Sequence, residues 1–344
     1  MNLIERTLVE RFDALALAGA GLDRRLHTVL VTPRFPTSRH VVALLFSGRD
    51  RRPSAVAKVP RRRLDDAGIH TEARILNHLG SLPGGPLPGV PTVLGVVDVD
   101  GRAMLVETAV DGAALDPALV QRDPNRALSA GADFVSRLPV VRSAQDNPDW
   151  YARTIAEPLA DLARLVPLDG ETEGWATRTH EVLAPLRREP LPAVLEHGDL
   201  SHPNLFLAQD GRSLQVIDWE RATLDGLPGH DIVFFLQYLS QCRQHATTRP
   251  EQLAAFDDAF LSAQGWARTV VASDLSRRGV APEMAGPLVL AGWARTAGTL
   301  AERLRADGEV TGSSAAALAD AFRADRDVAL WRHALLRAEE GRLL

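Results

Sequence analysis

Two short runs constrain this chain more than anything else in it: His197-Gly198-Asp199-Leu200-Ser201-His202-Pro203-Asn204 and Ile217-Asp218-Trp219-Glu220. Between them, Leu205–Ala208 and Ser213–Ile217 read as two short strands about the turn Gln209-Asp210-Gly211. Such a hairpin returns Asp218 to the neighbourhood of Asn204. The fold must then offer one carboxylate (Asp199), one amide oxygen (Asn204) and a second carboxylate (Asp218) around a β-hairpin. Hard oxygen donors of this kind suit a divalent cation, with one carboxylate left to meet a hydroxyl. The plainer explanation is a polar turn, with Asp199 in an Asx-turn and Asn204 opening the hairpin.

A second feature, far upstream, weighs against the plainer explanation. Lys58 is the only lysine in a chain with 39 lysine and arginine residues. It lies in Ser54-Ala55-Val56-Ala57-Lys58-Val59, which alternates like a strand. A compact ammonium can reach between two phosphates, where a planar guanidinium is too wide. Downstream, Ile69, Ala73, Leu76 and Leu79 fall on one helical face, and Glu72 lies beside that stripe. A helix packed on the sheet would bring Glu72 to Lys58. A surviving surface lysine and a solvated glutamate would explain these two residues alone, but not the downstream motif as well.

His-Gly-Asp-x-x-x-x-Asn followed by Ile-Asp-Trp-Glu, with Ala55-Val56-Ala57-Lys58 upstream, resembles the aminoglycoside phosphotransferase and choline kinase group. These are small-molecule kinases with a protein-kinase-like fold. The resemblance implies an α+β, two-lobed architecture. Residues 1–108 would form an N-terminal lobe with a helix, a small antiparallel sheet and the Lys58/Glu72 pair. Residues 109–344 would form a mostly helical C-terminal lobe carrying the 197–204 loop and Asp218. It also implies ATP between the lobes, with GTP as the alternative, and Mg2+. Asp199 would be the catalytic residue. Lys58 and Glu72 would serve the phosphates, Glu107, Thr108 and Val110 the adenine, and Asn204 and Asp218 the magnesium. His197 and Asp231 would support the loop, and His202 and Glu220 are candidate acceptor contacts. One departure stands out: Pro33–Val41 contains no glycine, although kinase phosphate loops are usually glycine-rich. Ser38 and Arg39 are the candidate phosphate contacts there.

Composition sets outer bounds. Hydrophobic residues at 45% and charged residues at 24% describe an ordinary globular chain. The net charge of −5 argues against nucleic acid or an anionic membrane as partner. Cys242 is the sole cysteine, so no intrachain disulfide can form, which fits a reducing, cytoplasmic setting. No apolar run approaches the roughly 20 residues that span a bilayer. Oligomeric state is left open.

The expected order begins with an amphipathic helix over 2–19. Strands follow at His27–Val31, His40–Phe46 and 54–59, then the Glu72 helix near 65–80. A hairpin, Thr92–Val99 with Arg102–Glu107, completes five strands. Helices are expected at Asn125–Leu138, Asp149–Leu165 and Glu173–Leu186, from Asp231, and near 251–264, 282–306 and 313–340. Asp231 is placed to cap its helix. Trp175, Trp266, Trp293 and Trp331 sit at helical spacings and are read as core. The implied activity is phosphorylation of a hydroxyl on an antibiotic, sugar, nucleoside-like compound or amino alcohol, in antibiotic resistance or self-protection. The alternatives are a nucleotide-binding pseudokinase acting as a regulatory module, and a metal-dependent hydrolase built on His197, Asp199, His202 and His230.

Overall fold

The computed structural model describes residues 1–31, 40–48, 50–63, 65–165, 170–261 and 265–344. Contacts divide them into two units. The first comprises Met1–Ala114 with Asn204–Ala222, and the second Leu115–Pro203 with Thr223–Leu344.

The first unit is built on an antiparallel sheet. Its strands are β1 (His27–Val31), β2 (His40–Phe46), β3 (Ala55–Pro60), β4 (Val93–Asp98) and β5 (Ala103–Thr108), in the order β1-β2-β3-β5-β4. Strand alternation sorts the side chains onto two faces. Ala43, Leu45, Ala55, Ala57, Met104 and Val106 pack against Leu8, Phe12, Leu15 and Leu17 of the N-terminal segment. Leu105 packs on the other face against Ile69 and Ala73 of α2 (Ala67–Gly80). Lys58 pairs with Leu105 in register and Val56 with Glu107, so Lys58 and Glu107 both fall on the α2 side. Gly95 permits the close approach of Leu15, whose Cδ2 would lie 2.5 Å from an added Cβ.

The expected helix over 2–19 is shorter. It covers Leu3–Glu10 (α1), with Asn2 and Glu5 forming a capping box, and a 3₁₀ turn follows at Leu17–Ala20. On a continuous helix Leu15 and Leu17 would lie on nearly opposite faces. The break, with Ala16 at φ 49°, lets both be buried. A three-stranded sheet places Leu205–Ala208 between Leu214–Val216 and Gly112–Ala114.

The second unit is mostly helical. Its helices include Pro124–Ser136, Gly170–Val182, His230–Arg243, Arg249–Phe260, Arg268–Arg277 and Ala285–Thr311. The stretch expected as one helix over 313–340 is two, Ala315–Ala324 and Arg326–Glu339. They part at Asp325, whose carboxylate accepts the Asp327 N–H at 2.7 Å. A small sheet sets Ala193–Glu196 between Val140–Arg142 and Thr223–Gly226. Cys242 is buried, which pushes its thiol up to about 11. No described helix is long and apolar enough to cross a membrane.

Candidate active site

In the first unit three elements converge on one ammonium. Lys58 Nζ, from the centre of β3, lies 2.6 Å from Glu72 Oε1 and 3.0 Å from Glu107 Oε1. Glu72 reaches it from α2 and is wholly buried. The same Glu72 Oε1 accepts the backbone N–H of Trp219 at 2.9 Å. One carboxylate oxygen therefore fixes both the lysine and the peptide that follows Asp218. Burial alone would lower the lysine, but Glu107, Glu72 and Asp218 outweigh it and hold the ammonium well above the usual lysine range.

The hairpin carries at its two outer ends the residues that the sequence offers as oxygen ligands. Leu205 pairs with Val216, and the Ile217 N–H donates to the Asn204 carbonyl at 3.0 Å. Asn204 and Asp218 thus flank the open end of the ladder, opposite its turn. Asp218 adopts φ 69° and ψ 63°, a left-handed backbone that short polar residues tolerate best. Glu220 turns toward β2, where its Oε2 lies 3.3 Å from His40 Nδ1. Burial and then the Asp218 charge push Glu220 up to about 7. Burial lowers His40, although Asp218 opposes that shift.

The second unit holds the other half of the motif. The strand Ala193–Glu196 runs into His197, and Gly198 follows at φ 80°. That left-handed conformation explains the glycine, because a side chain there would be strained. Asp231 accepts two N–H groups from the loop, His197 at 2.7 Å and Gly198 at 3.0 Å. The Asp199 N–H donates to His197 Nδ1 at 3.2 Å, and Ser201 Oγ lies 3.4 Å from Asp199 Oδ1. The expected capping role of Asp231 is corrected. Its helix starts at His230 with Gly229 at the N-cap and no side-chain cap bond. Asp231 sits inside the first turn with its carboxylate turned to the loop.

Behind Asp231 lies a buried network with no sequence signature. His230 Nδ1 is 3.5 Å from Glu196 Oε1 and 3.6 Å from Asp231 Oδ1. Glu196 also pairs with Arg295 and accepts the Leu227 N–H at 3.0 Å. Burial lowers His230, but Glu196 and Asp231 raise it further, so the imidazole is shifted up. Burial raises Asp231, yet its close pairing with the His230 imidazole and the neighbouring His197 hold it below the usual carboxylate range. Nearby, Arg326 lies 5.6 Å over the Phe234 ring. It keeps its charge against burial through Asp327 first, with Asp199 contributing.

Other expected site residues fall variously. The Glu107 side chain is turned to Lys58. The Thr108 N–H donates to Thr92 O at 2.9 Å and the Ala109 N–H to Ser54 O at 3.1 Å, so neither is free for a base edge. Val110 lies just beyond β5. Ser38 and Arg39 lie outside the described residues. His202 is half-buried two residues before Asn204. Trp175, Trp293 and Trp331 are buried, as read. Trp266 instead donates its indole N–H to Asp258 at 3.0 Å and stacks under Arg243.

Among the described residues no three His, Cys, Asp or Glu side chains gather as a metal site, so the hydrolase alternative lacks a ligand set. The amide and carboxylate oxygens of Asn204 and Asp218 fit Mg2+, which takes few protein ligands and completes its shell with water and phosphate.

The sequence profile of the phosphotransferase enzyme family matches residues 40–272. No curated relative matches the chain. Among solved structures, a thermostable mutant of aminoglycoside phosphotransferase APH(4)-Ia, in ternary complex with AMP-PNP and hygromycin B, is similar at TM-score 0.56 and 16% identity, over 97% of this chain and 99% of that one. An ethanolamine kinase from Plasmodium vivax is similar at TM-score 0.54 and 11% identity, over 97% of this chain and 87% of that one. At such identities these likenesses speak to the fold, which is protein-kinase-like.

Proposed function

Since the chain belongs to the phosphotransferase enzyme family, a small-molecule kinase acting on hydroxyl groups, we propose that it uses ATP with Mg2+ and that its half-sites act as follows. The observation that carries this reading is Glu72 Oε1, shared between Lys58 Nζ at 2.6 Å and the Trp219 N–H at 2.9 Å. A structural ion pair has no need to register a lysine against the residue after an aspartate. A phosphate-holding cation and a metal-holding carboxylate do need that registration.

Lys58 contacts the α- and β-phosphates, and the backbone near Val110 receives the base. Asn204 and Asp218 hold Mg2+, which when bound neutralises charge on the phosphate oxygens. Asp199 accepts a hydrogen bond from the acceptor hydroxyl. The acceptor O–P bond forms as the bond from the terminal phosphorus to the bridging oxygen of ADP breaks. The hydroxyl proton passes late to Asp199 and then to solvent. A carboxylate is a weak base for an alcohol, so Asp199 acts chiefly by orientation, as a loose transition state requires. Asp231, braced by His230, keeps the 197–199 backbone in place for that task.

The acceptor is a hydroxylated small molecule: an antibiotic, a sugar, a nucleoside-like compound or an amino alcohol. Inactivation of an antibiotic, as resistance or self-protection in the cytoplasm, is the role this chemistry suits. Incubation of the purified protein with Mg2+, labelled ATP and a panel of such compounds tests it, read by mass spectrometry for an added phosphate. Transfer to one class identifies the acceptor. Neither transfer nor ATP hydrolysis, with nucleotide still bound, would favour the pseudokinase alternative.

A further inference from the structure

Glu107 stands apart from the roles assigned so far. It lies at the end of β5 with 2% of its surface exposed. Its Oε1 shares Lys58 Nζ with Glu72, and its Oε2 is buried with no hydrogen-bond partner among the described residues. Glu72 Oε2 is in the same condition. A lysine ammonium has three N–H donors. Two of them are taken by carboxylates, so one remains for a phosphate oxygen. The groups facing Glu107 are Lys58 from β3, Glu72 from α2 and Asp218 from the segment after the hairpin. Apart from the one ammonium, every charge in that set is negative.

We propose that Glu107 is a positioning residue that competes with nucleotide phosphate for the Lys58 ammonium, so that nucleotide affinity is gated by the proton on Glu107. Neutral Glu107 still accepts from Lys58 and keeps it aimed, but adds no charge against the phosphates. Ionised Glu107 binds the ammonium more tightly and repels the incoming anion. Burial raises its carboxyl to about 7, with Lys58 opposing, so both forms are populated near neutral pH. A carboxylate and a phosphate on one ammonium lie roughly 5–6 Å apart. At an effective dielectric near 20 their repulsion is worth on the order of tenfold or more in affinity.

This rests on the nucleotide-binding role of Lys58, and the test separates the two. Binding of AMP-PNP with saturating Mg2+ is measured by calorimetry from pH 6 to 8.5, for the wild type and Glu107→Gln. The expected result is a wild-type affinity that falls about tenfold across that range relative to Glu107→Gln. Titration of the ligand is common to both proteins and cancels in the ratio. A second measurement needs no variant. Wild-type binding at pH 7.5, repeated in buffers of different ionisation enthalpy, should show net proton uptake. Parallel pH profiles, or no proton uptake, overturn the Glu107 inference while leaving nucleotide binding intact. Absence of AMP-PNP binding at every pH overturns the nucleotide role itself.

Discussion

Asp231 offers the sharpest test of how this fold holds its loop. Its carboxylate takes two backbone N–H groups, that of the fully buried His197 and that of Gly198. Asp231→Ala orphans both. A buried donor left without a partner costs about 1–3 kcal/mol, so the pair costs about 4 kcal/mol. Stabilities of single domains run to about 5–15 kcal/mol, so the variant should still fold at low temperature. Asp231→Asn retains one acceptor oxygen but turns an NH2 toward the second N–H, and about 2 kcal/mol is expected. The Asp231 carboxyl is held below its usual range, so its contribution is present above that range and fades as pH falls through the lowered value. Urea unfolding at pH 7, with hydrogen exchange at His197 and Gly198, reads both effects. Turnover should fall further than the folded fraction does, because Asp199 follows directly on the released segment. An Asp231→Ala protein within about 0.5 kcal/mol of wild type, with both amides still protected, would refute the bracing argument.

Asp199→Asn should lower kcat by about 100-fold or more with little change in melting temperature, and wild-type turnover would reject its role. Lys58→Arg should weaken Mg–nucleotide binding measured by calorimetry, because a planar guanidinium cannot sit between Glu72 and Glu107 as a compact ammonium does; unchanged affinity would show that the slot is not specific. Glu72→Gln keeps an acceptor for the Trp219 N–H and should retain more stability than Glu72→Ala, by about 1–3 kcal/mol in urea unfolding. Gly131→Ala would place a Cβ 2.0 Å from the Phe235 ring, and the overpacking should cost about 1–3 kcal/mol, read as a drop in melting temperature.

The lysine–glutamate pair was legible because two different periods fixed it. Alternation in β3 set the face of Lys58, and the Ile69–Ala73–Leu76 stripe set the face of Glu72. Glu107 carried a signal that went unused. It shares the face of Leu105, so an acid stood where an apolar residue was due, and reading it as a backbone position near the base hid its side chain. The strand Ala193–Glu196 escaped notice because it is buried on both faces and shows no alternation. Glu196 and Arg295 are 99 residues apart, and no local pattern can connect them. Asp231 was read as the cap of its own helix, but a carboxylate near a helix start can serve that helix or another segment, and only tertiary contacts decide which.

The charge inventory around Lys58 explains why this position stayed lysine while every other basic residue is arginine. One ammonium faces Glu72 and Glu107 directly and Asp218 by its field. Buried carboxylates without matching cations are costly, so three acids around one base make a stable fold only with relief. A proton on Glu107 is one form of relief, and a divalent cation at Asp218 and Asn204 is another. An arginine's planar, fixed fork is too wide for the slot between Glu72 and Glu107. A lysine has three rotatable donors, so it can hold two carboxylates and keep the last for an arriving anion. On the proposed nucleotide role, the solitary lysine lets the first unit fold without nucleotide and still have a donor to give it.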